Sequence, residues 1–257
     1  WPNASSKPKT YAPRNLLGSR LAPCAHVMSA PSDSPYGGSS SVTDNPLLAL
    51  GGTVLDSRYE LGRVLGAGAM GAVFEARHLR LGRMVAIKVM RPALQGHDEH
   101  IQRFLREAQA VSKIRHRNVV EIHDYGEAPG GLLYAVMELL HGQDLDRFLE
   151  TQPGQRLPWW QAAALLVQAA SGLKAAHAAG IIHRDIKPAN CLLTTDEEGQ
   201  ALVKLVDFGI AKAEESEETQ RLTSLSTVLG TPSYIAPELV MSPQSAGPRS
   251  DLYSLGV

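Results

Sequence analysis

The chain has 257 residues, with 25 Lys plus Arg against 26 Asp plus Glu, and 44% of it is hydrophobic. That balance excludes a bulk electrostatic affinity for nucleic acid or anionic membrane, while the apolar content suffices for a packed core. The only cysteines, Cys24 and Cys191, form neither a metal-ligand spacing nor a disulfide framework, which fits a reducing cytoplasm, and no run of about eighteen apolar residues offers a membrane helix.

In chain order, residues 1–52 are rich in Ser, Pro, Gly and Ala with little periodicity, and a disordered segment is expected there. Residues 1–27 carry Lys7, Lys9, Arg14 and Arg20 and no acid, but Arg20 and Pro23 interrupt the apolar stretch that a secretion signal needs. Tyr59 to Val64 and Val73 to Arg77 alternate as two strands around Leu65-Gly66-Ala67-Gly68-Ala69-Met70-Gly71-Ala72-Val73, a hairpin tip able to close over phosphates. A lone GxGxxG is weak evidence. In a dinucleotide-binding unit it opens a helix and meets an acid about twenty residues later. Here it opens a strand, and Val85-Ala86-Ile87-Lys88 stands at that distance, so the dinucleotide reading fails.

Lys88 ends an apolar strand, so its stem is buried and its ammonium requires an anion, a phosphate or a carboxylate. A helix is predicted from about Glu99 to Ile114, with an apolar stripe at Ile101, Phe104, Leu105, Ala108 and Val111 and with Glu107 at its edge. A glutamate at such a boundary can simply be solvated. Pairing with Lys88 explains both residues at once. Pro158 to Gly180 reads as another amphipathic helix, with Leu165, Leu166, Ala169, Leu173 and Ala176 at helical spacing and Gly180 as its stop.

That helix leads into His183-Arg184-Asp185-Ile186-Lys187-Pro188-Ala189-Asn190. A carboxylate, a lysine two residues on and an amide five residues on are what moving a phosphoryl group from a magnesium-bound nucleotide to a hydroxyl requires. Asp185 can orient the hydroxyl and take its proton, Lys187 can neutralise charge on the moving group, and Asn190 can offer a hard oxygen to magnesium. Val203-Lys204-Leu205-Val206 then reads as a buried strand that runs into Asp207-Phe208-Gly209, where a second magnesium ligand belongs.

With these pieces in order, the chain from Tyr59 to Val257 closely resembles the catalytic domain of a eukaryotic-type serine/threonine protein kinase. Gly66, Gly68, Gly71 and Val73 match the glycine loop, Lys88 the VAIK lysine, Glu107 the glutamate of the following helix, and Asp185, Lys187, Asn190 and Asp207 the catalytic and metal positions. The resemblance implies an α+β, two-lobed fold: a small antiparallel β lobe over about 59–136, a hinge over about 137–142, and a mainly helical large lobe from 143. It implies ATP and magnesium as cofactors and proteins bearing Ser or Thr as substrates. Residues Leu65 to Val73 would cover the nucleotide, Val73, Ala86 and Leu192 would enclose adenine, Met137 would be the gatekeeper, and backbone groups of Glu138 and Leu140 would bond the base. Val111, Ile122, His183 and Phe208 would stack as a spine, and Thr231 would brace Asp185 and Lys187.

Lys187 and the run Gly230-Thr231-Pro232-Ser233-Tyr234 before Ala236-Pro237-Glu238 select serine/threonine over tyrosine specificity in that family. A small-molecule phosphotransferase would lack this run, and a pseudokinase would lack some of the catalytic positions filled here. Arg103 to Ala108 and Arg115 to Val120 look most like bacterial members, and Met28-Ser29-Ala30 looks like a bacterial start, which makes residues 1–27 an expected gene-calling artefact. Between Asp207 and Glu238, a phosphate on Thr227, Thr223 or Ser226 would give Arg184 a charge-assisted partner, so autophosphorylation in trans, with self-association, is the expected switch. Ser250 to Val257 resembles the opening of a helix on which relatives build the large lobe. The family continues beyond it, so the isolated chain is expected to fold poorly and to be nearly inactive, a crippled fragment able at most to bind nucleotide or a partner, and Glu238 is expected to lack its usual arginine.

Overall fold

The structure is a computed structural model and describes residues 46–68, 71–90, 98–208 and 232–257. The alternation read in the sequence produces a sheet of β1 (Val54–Leu55), β2 (Tyr59–Gly68), β3 (Gly71–His78), β4 (Met84–Met90), β5 (Ile122–Ala128) and β6 (Leu132–Met137). Their order is β1-β2-β3-β4-β6-β5, and all neighbours are antiparallel. Alternate residues Tyr59, Leu61, Phe74, Ala76, Val85 and Ile87 share one buried cluster. Register shifts between Leu61 and Val64 and between Val64 and Gly66 bend β2 just before its glycines.

Packing of the small lobe begins upstream of residue 52, where the sequence predicts disorder. Pro46–Leu50 forms a 3-10 turn that buries Leu47 in the same cluster, with Leu48 and Leu50 packed beside it. Gly52 N then donates to Leu61 O at 2.7 Å and Leu61 N to Thr53 O at 2.8 Å, so this strap is stitched to the strand that carries the glycine loop. The composition of 1–52 hides this because three leucines in five residues are too short a run to show a period.

Helix α1 (Asp98–Val111) lays Phe104 and Ala108 against Met90, Leu133 and Ala135 on the sheet. Past the hinge come β7 (Gln143–Asp144), α2 (Leu145–Glu150), α3 (Trp159–Ala178), β8 (Cys191–Thr195), β9 (Ala201–Leu205), α4 (Pro237–Met241) and α5 (Pro248–Gly256). Asp144 caps α2 by accepting from Arg147 N at 2.9 Å. Helix α3 ends as the sequence predicts: Gly180 is left-handed (φ 77°), its amide bonds His177 O, and Ile181 N bonds Ala176 O. Those two bonds satisfy carbonyls that the helix end would leave open and turn the chain toward His183.

The α1–β5 connection is anchored in the large lobe. Val120 N donates to Leu205 O (3.0 Å), Leu205 N to Asn118 O (2.9 Å), and the Asn118 amide to Val203 O (2.8 Å). Val111, Ile122, Leu165, Leu173, Leu205 and Phe208 then belong to one apolar cluster crossing from one lobe to the other. Trp159, Val167, Leu252 and Met241 are exposed on the outer sides of α3, α5 and α4. No helix among the described residues is long and apolar enough to cross a membrane.

The β7–β8 ladder sets a tight constraint beside the hinge. A Cβ on Gly142 would lie 2.1 Å from Leu193 O, so the two backbones must separate to admit one. Gly142→Ala is therefore expected to destabilise the domain by about 1–3 kcal/mol, read as a lower urea midpoint. An unchanged midpoint would show that the ladder can part freely here.

Candidate active site

The octet forms a compact constellation on a loop between α3 and β8. Asn190 Nδ2 donates to Asp185 O at 2.7 Å and to Asp185 Oδ2 at 2.9 Å, and Lys187 Nζ lies 3.1 Å from the same Oδ2. One amide thus fixes both the backbone and the carboxylate of Asp185, and the Lys187 ammonium beside it pairs with the same carboxylate. Val206 N donates to Asn190 O at 3.0 Å, which ties this loop to the segment leading into Asp207.

Lys88 sits on β4, paired with Val73 on β3 and Ala135 on β6, and its ammonium lies 2.8 Å from Asp207 Oδ1. Among the described residues Lys88 forms an ion pair with Asp207, and Glu107, the partner the sequence suggests, lies on α1. Partial desolvation opposes the charge of Asp207, whose side chain is 42% exposed, but the Lys88 ammonium, by its charge and its hydrogen bond, outweighs that and holds the carboxyl below its ordinary range. Asp207 is also left-handed (φ 58°), a conformation that aspartate tolerates better than most residues.

The donor set fits magnesium. The NH2 of Asn190 is engaged by Asp185, so its carbonyl oxygen remains for a cation, and Asp207 supplies a carboxylate nearby in the chain's path. Two hard oxygen ligands from protein, with the rest from phosphates and water, is the usual provision for this ion.

His183, Phe208, Val111 and Ile122 are all buried, and the His183 and Phe208 rings lie 4.5 Å apart. Nε2 of His183 donates to Val206 O at 2.9 Å. Burial favours the neutral ring and lowers its pKa despite the nearby carboxylates of Asp251, Asp185 and Asp207. Phe208, Val111, Ile122 and Met137 join Lys88 and Asp207 in lining a cavity behind the cleft. Ala86 and Leu192 are buried, and Met137 bridges β4 and β5 through Ala86 and Ile122.

In the glycine hairpin, Gly66 opposes Val73, Ala67 opposes Ala72, and Gly68 opposes Gly71. A Cβ on Gly71 would lie 2.2 Å from Val89 O, so close approach to β4 requires glycine there. Ala69, Met70, Gly209, Thr219, Thr223, Ser226, Thr227 and Thr231 lie outside the described residues. Glu238 accepts a hydrogen bond from Ser250 Oγ at 2.7 Å, which lowers its pKa.

Sequence reasoning missed Asp251 and His177. Asp251 accepts from His183 N (2.8 Å), Arg184 N (2.9 Å) and His177 Nε2 (2.7 Å), with only 1% of its surface exposed. It fixes the backbone just before Asp185, and Arg184 is held left-handed there (φ 64°). An acid flanked by Ser250 and Leu252 carries no local sign of burial; the available signal is the likeness of Ser250 to Val257 to the helix on which relatives build the large lobe.

Cys191 follows Asn190 and is buried, which pushes its thiol up to about 11. The thiolate is the reactive form. Iodoacetamide at pH 8 is therefore expected to leave Cys191 unmodified in the folded protein and to alkylate it in urea, read by mass spectrometry; rapid native labelling would contradict the packing.

The protein kinase domain family matches residues 59–257, and the chain belongs to that family. Serine/threonine-protein kinase PknA of Mycobacterium tuberculosis is 42% identical over 210 residues, which make up 80% of this chain and 46% of the relative. Serine/threonine-protein kinase pkn2 of Myxococcus xanthus is 41% identical over 211 residues, 82% of this chain and 25% of the relative. The chain thus spans half or less of the length of these relatives. The crystal structure of the M. tuberculosis PknI kinase domain superposes with a TM-score of 0.62 at 32% identity, covering 79% of this chain and 73% of that one. These relatives are bacterial, as the motifs suggested.

Proposed function

We propose that the protein transfers the terminal phosphoryl group of ATP to serine or threonine hydroxyls of other proteins in the cytoplasm, with magnesium as the metal. The observation that carries this is the single cluster in which Asn190 fixes Asp185, Lys187 stands beside it, and Lys88 meets Asp207. Asn190 and Asp207 would hold magnesium, which when bound would supply positive charge to offset that of the nucleotide phosphates. Asp185 orients the acceptor hydroxyl and accepts its proton, Lys187 offsets charge on the transferred group, and Lys88 steadies the phosphates. Glu107 is the further anion that Lys88 can adopt when Asp207 turns to the metal.

Backbone groups of Glu138 and Leu140 bond the adenine edge, Val73, Ala86 and Leu192 enclose its faces, and residues Leu65 to Val73 cover the phosphates. Thr231 braces Asp185 and Lys187. Phosphorylation of Thr227, Thr223 or Ser226 by a second copy orders the segment against Arg184. The test is intact-mass and phosphosite analysis after incubation with magnesium and ATP, beside Asp185→Asn. Phosphate on the loop of the unmodified protein alone supports the reading. Phosphate on neither protein, with nucleotide still bound, would support a non-catalytic binder instead.

A further inference from the structure

Behind the hinge lies a polar cluster that the catalytic constellation does not use. Lys204 Nζ on β9 lies 2.5 Å from Glu138 Oε1, the residue after Met137, and the two side chains are only 14% and 24% exposed. The same Oε1 accepts from Glu121 N at 2.8 Å, and Glu138 N donates back to Glu121 O at 3.0 Å. Arg115 reaches Glu121 Oε1 at 3.0 Å and extends the network to the anchored α1–β5 connection.

Three segments far apart in sequence therefore meet on one carboxylate: the approach to β5, the hinge, and the strand that runs into Asp207 three residues later. With its amide engaged by Glu121, Glu138 has only its carbonyl left for a ligand. Among the described residues neither that carbonyl nor the Leu140 amide takes a backbone partner. A mostly buried ion pair with an extra amide donor is stiff, because releasing either partner leaves a poorly solvated charge. It therefore fixes the rotation of the Glu138 peptide.

We infer that Lys204 and the Glu138 carboxylate are positioning residues for the adenine-binding edge of the hinge, holding the Glu138 carbonyl in the orientation that receives the base. This rests on the nucleotide-binding reading above. The clasp acts on the base end of the ligand, while the phosphates are held by Lys88 and the glycine hairpin. It also links the hinge to the strand that leads into Asp207, so the base and metal ends of the cleft are tied through one element.

The test compares binding of adenosine and of magnesium tripolyphosphate by calorimetry, in the full-length protein and in Lys204→Met, Glu138→Gln and Lys204→Arg variants. Lys204→Met and Glu138→Gln are expected to weaken adenosine about tenfold, the scale of one charge-assisted hydrogen bond, while tripolyphosphate binding changes less than about twofold. Lys204→Arg, which keeps the charge, is expected to restore most of the adenosine affinity. Glu138→Gln keeps an acceptor for Glu121 N, so it reports on the clasp even where Lys204→Met loosens the fold. Equal loss for both ligands would show a merely structural role and overturn the inference, as would adenosine affinity unchanged in both variants. An unmodified protein that binds neither ligand would overturn the nucleotide reading itself.

Discussion

Asp207→Asn is expected to slow phosphoryl transfer by about 100- to 1,000-fold while leaving the fold in place. The asymmetry follows from the site. Asparagine is, with aspartate, among the few non-glycine residues at ease in the left-handed conformation found here (φ 58°), so the backbone loses little. Its carbonyl oxygen can still accept from Lys88 Nζ, which now lies 2.8 Å from Oδ1. What disappears is the negative charge on one of the two oxygen ligands that suit magnesium, and with it most of the affinity for the ion. Lys88 loses its ionic partner, but that side chain is 18% exposed and retains solvent contact. The check is the initial rate of phosphate transfer to a serine/threonine peptide across a magnesium titration, together with the thermal midpoint. A rate within tenfold of the unmodified protein at saturating magnesium would remove Asp207 from the metal role. A collapsed midpoint would show instead that the Lys88–Asp207 pair is mainly a structural tie.

The catalytic loop was legible because its chemistry lies in consecutive residues: a backbone turn of eight positions brings Asp185, Lys187 and Asn190 together without help from the rest of the chain. The strands beside the glycines were legible for a similar reason, since alternation is a local property and a sheet face is its direct consequence. Other features depend on where whole elements come to rest. Glu107 was placed correctly on α1, but which carboxylate Lys88 prefers is set by the distance from α1 to β4 and by the turn at Asp207, and neither is written in either segment. Leu47 is buried only because a short turn folds back on β2. The Glu138–Lys204 clasp joins positions 66 residues apart, and in sequence each looks like an ordinary solvated charge. Asp251 lies 68 residues from His183, whose amide it accepts. Long-range polar contacts of this kind have no period and no composition, and they emerge only when tertiary packing excludes water from the pair.

Asp251→Ala has the largest expected effect on stability, a loss of about 3–5 kcal/mol, which is a substantial part of the 5–15 kcal/mol typical of a domain. The carboxylate is almost wholly enclosed and satisfies three donors: the amides of His183 and Arg184 and Nε2 of His177. Alanine leaves all three without an acceptor, and each buried unsatisfied group costs about 1–3 kcal/mol before water or rearrangement recovers part of it. Arg184 adds a further demand, because its left-handed backbone (φ 64°) is intrinsically unfavourable by about 1–3 kcal/mol and persists only where its surroundings enforce it. Once its amide is released, the peptide has reason to relax, and Asp185 is the next residue. Urea unfolding should therefore show the stability loss, and transfer rates measured below the unfolding transition should fall at least about 100-fold, because Asp185, in the proposed role of base, would lose its near-attack geometry. His177→Ala removes one donor and leaves both backbone bonds, so its effect should be about 1–2 kcal/mol with little change in rate. If Asp251→Ala stays within about 1 kcal/mol of the unmodified protein, well below what three orphaned donors demand, water or another acceptor must take its place, and the backbone of the catalytic loop would then be held by its own Asn190 bonds rather than from the helix beneath it.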